Sequence, residues 1–395
     1  MLDDPQAPAA GGLTPWVTAA PPVPTRPAGV DLVGYVTAAT GIGRVARDLI
    51  LCLDSIGEDG SIVDLADSVD HLPRVDGAPK IASHRVEHDI ALICANADQA
   101  FNSWRFLTPQ FFEGKYSVGY WFWESPSFPA GWRDAFTYYD EIWVATGFVR
   151  EAIARESTTP VIHMPVVLYR EPAGQGPRLR AKLGIQSDEV LYLFAFDFAS
   201  VFERKNPLAV VRAFLRAFPA GERVRLVMKS QNGHQFVEAL AELRDAARDP
   251  RITVWDETVS PESVGDLMAA CDVYVSLHRA EGLGLTLAEA MSHGKPVVAT
   301  GWSGNMDFMT VANSVPVRFK LETLQRDAGP YSAGTEWAVP DEVHAAACMR
   351  ELFEQPSWRR ELGEMGRADL RSRYSTESVG RAIVARLETI RRRRR

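Results

Sequence analysis

The chain has 395 residues, 46% of them hydrophobic and 24% charged, with a formal net charge of −8, so it reads as a folded protein too long for one ordinary core. The acidic excess lies in the first 170 residues and the remainder is close to neutral, which argues against nucleic-acid binding through an extended basic surface. No apolar run is long enough to cross a bilayer, and the N-terminus lacks the basic-then-apolar pattern of a signal peptide, so a cytoplasmic protein of two domains is expected.

Residues 1–28 are rich in Pro, Ala and Gly without any period and read as a disordered leader. From Asp31 the pattern becomes α/β. A strand over 32–36 runs into a loop ending Gly41-Ile-Gly43, and a helix follows with Val45, Leu49, Ile50 and Leu53 on its apolar face. Further strands are predicted at 91–95, 117–122, 141–145 and 161–167, with a helix over 148–154. The stretch 170–176, REPAGQG, breaks both periods and is the predicted linker.

A second α/β series follows. Strand 190–196 precedes a polar loop and a helix over 207–218. Strand 225–229 precedes a helix over 236–247, and strand 252–254 precedes a helix after Pro261. Strand 273–277, a glycine loop, a short helix and strand 296–300 complete it. Strands alternating with helices imply parallel sheets joined by right-handed crossovers, one sheet in each half. The predicted fold is two Rossmann-like domains across a cleft: 29–170, 171–376, then a C-terminal helix with a basic tail over 377–395.

Cys52, Cys94, Cys271 and Cys348 are scattered, and the first three fall in apolar patterns, as buried thiols of a reducing compartment do. Val379, Ile383, Val384, Leu387 and Ile390 mark one face of the last helix. Arg391–Arg395 beyond it read either as a solvated tail or as a peripheral attachment to an anionic membrane face.

Three stretches carry candidate chemistry. In Glu281-Gly282-Leu283-Gly284, glycines allow close approach of backbone to a ligand, and the amides near Leu285 and Thr286 open a helix whose positive dipole end favours a phosphate. Glu289, on that helix, is placed to accept two hydrogen bonds from vicinal hydroxyls such as a ribose. Glu281 would reach hydroxyls on the other side of the phosphates. Taken singly, each is also an ordinary loop or helix-face acid. In Arg204-Lys205-Asn206-Pro207, Asn206 is a good N-cap and Pro207 suits a first helical turn. Two cations at a strand end beside a helix N-terminus make electrostatic sense when an anion such as a diphosphate binds there. Gly41-Ile-Gly43 lacks the third glycine of the dinucleotide fingerprint, so it is weak evidence for NAD and better read as a close-approach loop facing the other domain.

Together these motifs resemble the retaining nucleotide-sugar-dependent glycosyltransferases of family 4, which have the GT-B fold. The resemblance rests on Glu281-x7-Glu289 with its GLGL core, on Arg204-Lys205-Asn206-Pro207, on Gly41-Ile-Gly43-Arg44, and on PVVATGWSGNMDF over 296–308. It covers the C-terminal half well, and the N-terminal half mainly at the glycine loop and at DEIWVATGFVREAI, 140–153. It implies hexosyl or deoxyhexosyl transfer from a nucleoside-diphosphate sugar to a carbohydrate or lipid-linked glycan acceptor, in polysaccharide or glycoconjugate biosynthesis. Arg204 and Lys205 would hold the donor diphosphate, Glu281 the transferred sugar, Glu289 the ribose, and Gly41 and Gly43 would approach the phosphates from the N-domain. No cofactor beyond the donor is implied. The chain shows neither a Ser-His-Asp grouping nor an Asp-x-Asp, so no catalytic metal is expected.

The chain departs from the family pattern at one point. Where many members carry a histidine, this chain has GYWFWESP over 119–126, with Glu124 just past a strand end. Glu124 either orients the acceptor or supports positive charge at the anomeric carbon, or it is a helix-start acid beneath two tryptophans. Tyr120, Trp121, Trp123 and Trp132 read as core packing or as a sugar-stacking wall. His278 and Lys229 end strands near the site and are weaker candidates for donor contact, while His163, His234 and His293 show no partner pattern. A sugar-nucleotide epimerase or hydrolase on the same fold, and a non-catalytic binding protein, are the alternative readings.

Overall fold

The computed structural model describes residues 26–69, 74–75, 88–219 and 221–395, so nearly all of the stretch read as a leader, 1–28, lies outside the described residues. Short apolar runs such as VDLVG and IALIC are buried at every position, as strands covered by helices on both faces must be. They build a six-stranded sheet from β1 (Val30–Gly34), β2 (Gly60–Asp64), β3 (Ile90–Cys94), β4 (Tyr116–Trp121), β5 (Glu141–Val144) and β6 (Val161–His163). Its spatial order is β2-β1-β3-β4-β5-β6 and every pairing is parallel.

The second sheet has β7 (Val190–Asp197), β8 (Val224–Gln231), β9 (Ile252–Asp256), β10 (Val273–Ser276), β11 (Val297–Thr300) and β12 (Val315–Val317). Its order is β12-β11-β10-β7-β8-β9, again all parallel. Two parallel Rossmann-like sheets are therefore present, as predicted. An antiparallel hairpin, β13 (Phe319–Thr323) and β14 (Glu336–Pro340), belongs to neither sheet.

Each sheet changes winding direction once, between β1 and β3 in the first and between β7 and β10 in the second. Loops leaving adjacent strands diverge at such points and open a crevice beyond the carboxyl ends, which is where ligands bind in this class of sheet.

Two local expectations differ from the structure. Strand β2 was not predicted, because GSIVD is short and half polar, and it adds at the sheet edge. The strand expected over 161–167 ends at His163, since Pro165 has no N–H to continue a ladder. The apolar run beyond it is buried differently: Leu168 and Tyr169 both donate to the Tyr374 carbonyl, 3.1 Å each, so the crossing between domains is anchored rather than a free linker. The predicted linker, 170–176, is irregular and exposed over 171–175, and the helix Gly176–Lys182 begins at its last residue.

The C-terminus is in part a docked helix end and not wholly a basic tail: Arg391 and Arg394 are held by the first domain, while Arg392, Arg393 and Arg395 are exposed. Helix Pro356–Tyr374 packs on the second domain, Ser375 caps the next turn, and helix Thr376–Arg394 returns to lie on the first-domain helix Gly41–Ser55. At Gly380 a Cβ would sit 2.9 Å from Ile56 Cγ2, so the helices meet at glycine distance. Arg386 Nε pairs with the fully buried Glu141 at 3.0 Å, Arg391 lies between Glu58 and Asp89, and Arg394 donates to the carbonyls of Asp89 and Gly114. Cations in a last helical turn also suit its dipole. Arg386→Ala is expected to cost about 3 kcal/mol in urea unfolding, because the Glu141 carboxylate stays buried with, among the described residues, only the Tyr116 and Trp143 side chains as donors. All four cysteines are free and buried, and among the described residues no helix is long and apolar enough to cross a membrane.

Candidate active site

The second domain supplies the charge. Strand β7 ends at Asp197, which caps a single 3-10 turn, Phe198–Ser200. Val201 follows at φ 65°, a left-handed conformation that a β-branched side chain adopts only under strain. A four-residue helix, Phe202–Lys205, comes next, and then Asn206, also left-handed at φ 54°. These two reversals fold Arg204 and Lys205 back over the sheet edge. Arg204 donates from Nη1 to the Ala280 carbonyl at 2.8 Å and from Nε to Ser200 at 3.2 Å. Its own carbonyl accepts from Arg279 N at 2.8 Å, which joins the loops after β7 and β10. Asn206 is not the side-chain cap expected from sequence; its amide donates to the Leu277 carbonyl instead, 2.8 Å.

Glu281 is buried and ion-paired with Lys205, with Arg204 Nη1 at 3.5 Å. Burial acts to raise its carboxyl, but Lys205 and Arg204 overcome that and hold it at about 2. Burial also draws the Lys205 ammonium below its ordinary value, against the pull of Glu281. For Arg204 burial is outweighed by Glu124 and Glu281, which raise it. Behind Glu281, Gly284 takes φ 93°, open to glycine at no steric cost, and starts helix Leu285–Ser292. Leu287 and Ala288 donate to the Gly284 carbonyl, so the amides of Leu285 and Thr286 lead the helix.

The first domain closes over this. Gly41 opens its helix close to Leu285, whose Cδ1 a Cβ would meet at 3.4 Å. Asn96, after β3, accepts from Phe122 N at 2.9 Å. Glu124, after β4, accepts from the Tyr331 hydroxyl at 3.0 Å. Thr146 Oγ1 donates to the Gly282 carbonyl at 2.9 Å, and a Cβ on Gly282 would lie 2.6 Å from the Trp123 carbonyl oxygen. The result is a cavity of about 250 Å³ lined by Gly41, Asn96, Glu124, Arg204, Lys205, Glu281 and residues 282–286. Through Gly41, Leu285 and Thr286 it continues into a cleft of about 760 Å³ holding Arg44 and Glu289, whose side chains pair at 3.3 Å.

Several candidates fall elsewhere. Gly43 lines neither space: a Cβ there would lie 2.5 Å from the Ala38 carbonyl oxygen, so this glycine serves the packing of its own loop. Glu124 does line the cavity, but from an irregular loop and not from a helix start. Tyr120, Trp121 and Trp123 are buried in the core and, like Trp132, lie outside the cavity wall. Lys229 is spent on the carbonyls of Ser230 and Glu257. His293 borders the cleft and is bonded to the Glu289 and Ala173 carbonyls, 2.9 Å each.

His278 lies beneath the site with no exposure, against Ser276 and Asn305 at 3.1 Å each. Burial pushes it down to about 4. The unfolded chain therefore takes up this proton first, and stability is expected to fall as pH drops from 6.5 towards 4. An NMR titration of the imidazole should show no transition near its ordinary value.

Asn96, Arg44 and Tyr331 were not assigned roles from the sequence. Asn96 had a legible signal, a polar residue just past a buried strand. Tyr331 had none, since it arrives on a loop from the hairpin outside both sheets. Among the described residues no group of three or more His, Cys, Asp or Glu is placed to hold a metal ion.

Residues 196–315 match the family model described as glycosyl transferases group 1. The alpha-monoglucosyldiacylglycerol synthase of Streptococcus pneumoniae is 29% identical over 126 residues, 31% of this chain and 27% of that protein. The trehalose synthase of Rubrobacter xylanophilus is 23% identical over 240 residues, 56% of this chain and 52% of that protein. The chain thus aligns with about a quarter and about half the length of these curated relatives. Among solved structures, Anabaena HepE in complex with UDP and glucose superposes with a TM-score of 0.63 at 16% identity, covering 92% of this chain and all of that one. The segment carrying Arg204, Lys205, Glu281 and Glu289 is therefore of the glycosyl transferases group 1 type, set in a chain with the two-domain GT-B fold.

Proposed function

We propose that the protein is a retaining glycosyltransferase of family 4 that moves a hexosyl or deoxyhexosyl unit from a nucleoside-diphosphate sugar to a hydroxyl of a carbohydrate or lipid-linked glycan. One observation carries this reading: Arg204, Lys205, Glu281 and the leading amides of helix Leu285–Ser292 share one cavity with Glu124 from the opposite domain. The UDP complex of HepE, on the same fold, and the glycosyl products in the names of the curated relatives support it.

In this reading the diphosphate lies between Arg204, Lys205 and the amides of Leu285 and Thr286, which stabilise the charge that develops as the bond from C1 to the phosphate oxygen breaks. The acceptor oxygen bonds to C1 on the same face, and its proton passes to the departing phosphate. With its carboxyl held at about 2, Glu281 is ionised at neutral pH, so it accepts hydrogen bonds from sugar hydroxyls and is no proton donor. Glu289 exchanges Arg44 for the ribose hydroxyls. Glu124 faces the acceptor side.

The test is a thermal-shift panel of UDP, GDP, ADP and dTDP sugars, followed by NMR of the product formed with the selected donor. One nucleoside diphosphate should stabilise the protein selectively. The transferred sugar should keep its anomeric configuration. An inverted product would overturn retention, and release of free sugar alone, with every glycan acceptor tried, would point to a hydrolase.

A further inference from the structure

We infer that Tyr331 is a positioning residue for Glu124, carried by the β13–β14 hairpin so that this carboxylate is oriented only when the two domains are closed. The inference rests on the glycosyl-transfer reading and concerns a residue outside every motif that supports it. Ala328 and Tyr331 exchange backbone hydrogen bonds of 2.9 and 3.1 Å, which tightens the loop 324–335 into a turn. Gly329 in that turn has φ 58°, and a Cβ there would sit 2.7 Å from Val201 Cγ2. The turn is thus pressed onto the strained residue that delivers Arg204.

From this turn Tyr331 reaches into the first domain. It is 4% exposed, its ring lies 5.3 Å from Trp123 and 5.4 Å from Trp337, and the Arg204 guanidinium lies over it at 5.9 Å. The hydroxyl donates to Glu124 Oε2 at 3.0 Å. A second polar contact, Ser127 Oγ to Thr335 Oγ1 at 3.2 Å, crosses the same boundary. Burial, reinforced by Glu124, raises the phenol far above neutrality, so it stays protonated and can only donate. Tyr331 is not itself among the residues lining the cavity, whereas Glu124 is. The hydroxyl therefore acts through Glu124, fixing one carboxylate oxygen and leaving the other for a ligand. In an open cleft Glu124 would lose this donor, and closure and orientation become one event.

The experiment compares Tyr331→Phe, Glu124→Gln and the double variant, reading UDP release from UDP-glucose and amide hydrogen exchange across 122–128. Tyr331→Phe should lower kcat about tenfold with KM for UDP-glucose within about twofold. The double variant should be no slower than Glu124→Gln, and exchange across 122–128 should rise in Tyr331→Phe. Multiplying effects in the double variant, or an unchanged kcat in Tyr331→Phe, overturn the proposal. If UDP-glucose is not turned over, the exchange arm decides alone, and unchanged exchange overturns it. Failure of the transfer reading has a different signature: an Arg204→Ala, Lys205→Ala variant that retains full turnover.

Discussion

Replacing Arg204 and Lys205 together with alanine is expected to lower kcat/KM for glycosyl transfer on the order of 10³-fold or more. Both cations line the cavity, and in the proposed reaction the charge on the departing diphosphate grows as the glycosidic carbon is released. Backbone amides alone would then carry it. Because the double variant also strips the buried Glu281 of its partners, turnover has to be read beside the melting temperature. Arg204→Lys separates the two effects: it keeps a positive charge near Glu281 but not the planar donors that hold the Ser200 and Ala280 carbonyls. Full activity in a folded double-alanine variant would remove the basis of the assignment.

Glu281→Ala is expected to abolish measurable turnover and also to destabilise the fold by about 3 kcal/mol, since Lys205 remains beside a buried, unneutralised position. A pH series distinguishes the two. The carboxyl lies at about 2 in the fold against an ordinary 4.5, so on acidification the unfolded chain binds this proton first. The stabilisation is complete above about pH 4.5 and is lost as pH falls towards 2. Over that window it amounts to about 3 kcal/mol. Urea unfolding between pH 6 and pH 3 should show about 2 kcal/mol of this loss in the wild type and a flatter profile in Glu281→Gln. An equal slope in both proteins would mean that the ion pair is not coupled to folding.

The architecture was largely legible because helix and strand periods are local. Apolar runs such as IALIC in β3 and VYVS in β10 need no partner to be read as buried strands. The misses occurred where a local signal was weak or was overridden from afar. Strand β2 is too short and polar to announce itself, and Pro165 stopped a strand whose hydrophobicity continued because those residues were buried elsewhere. Arg391 and Arg394 were read as a charge run, yet they belong to the last turn of a helix held by Glu58, Asp89 and backbone carbonyls more than 270 positions away in sequence.

For the site, the sequence by itself determined which side chains could handle an anion and hydroxyls: the cation pair at Arg204 and Lys205, the acid at Glu281 ahead of a glycine-opened helix, and Glu289 one turn into that helix. These are short-range patterns, set by what a loop and a helix terminus can do. Only the tertiary structure decided where they stand. Adjacency of β7 and β10, strands some eighty residues apart, stitches Arg204 to Ala280 and sets Lys205 on Glu281. Closure brings Gly41 to Leu285, Arg44 to Glu289 and the Tyr331 hydroxyl to Glu124. Strand order and domain closure are non-local, fixed by the packing of whole sheets, and no spacing along the chain records them.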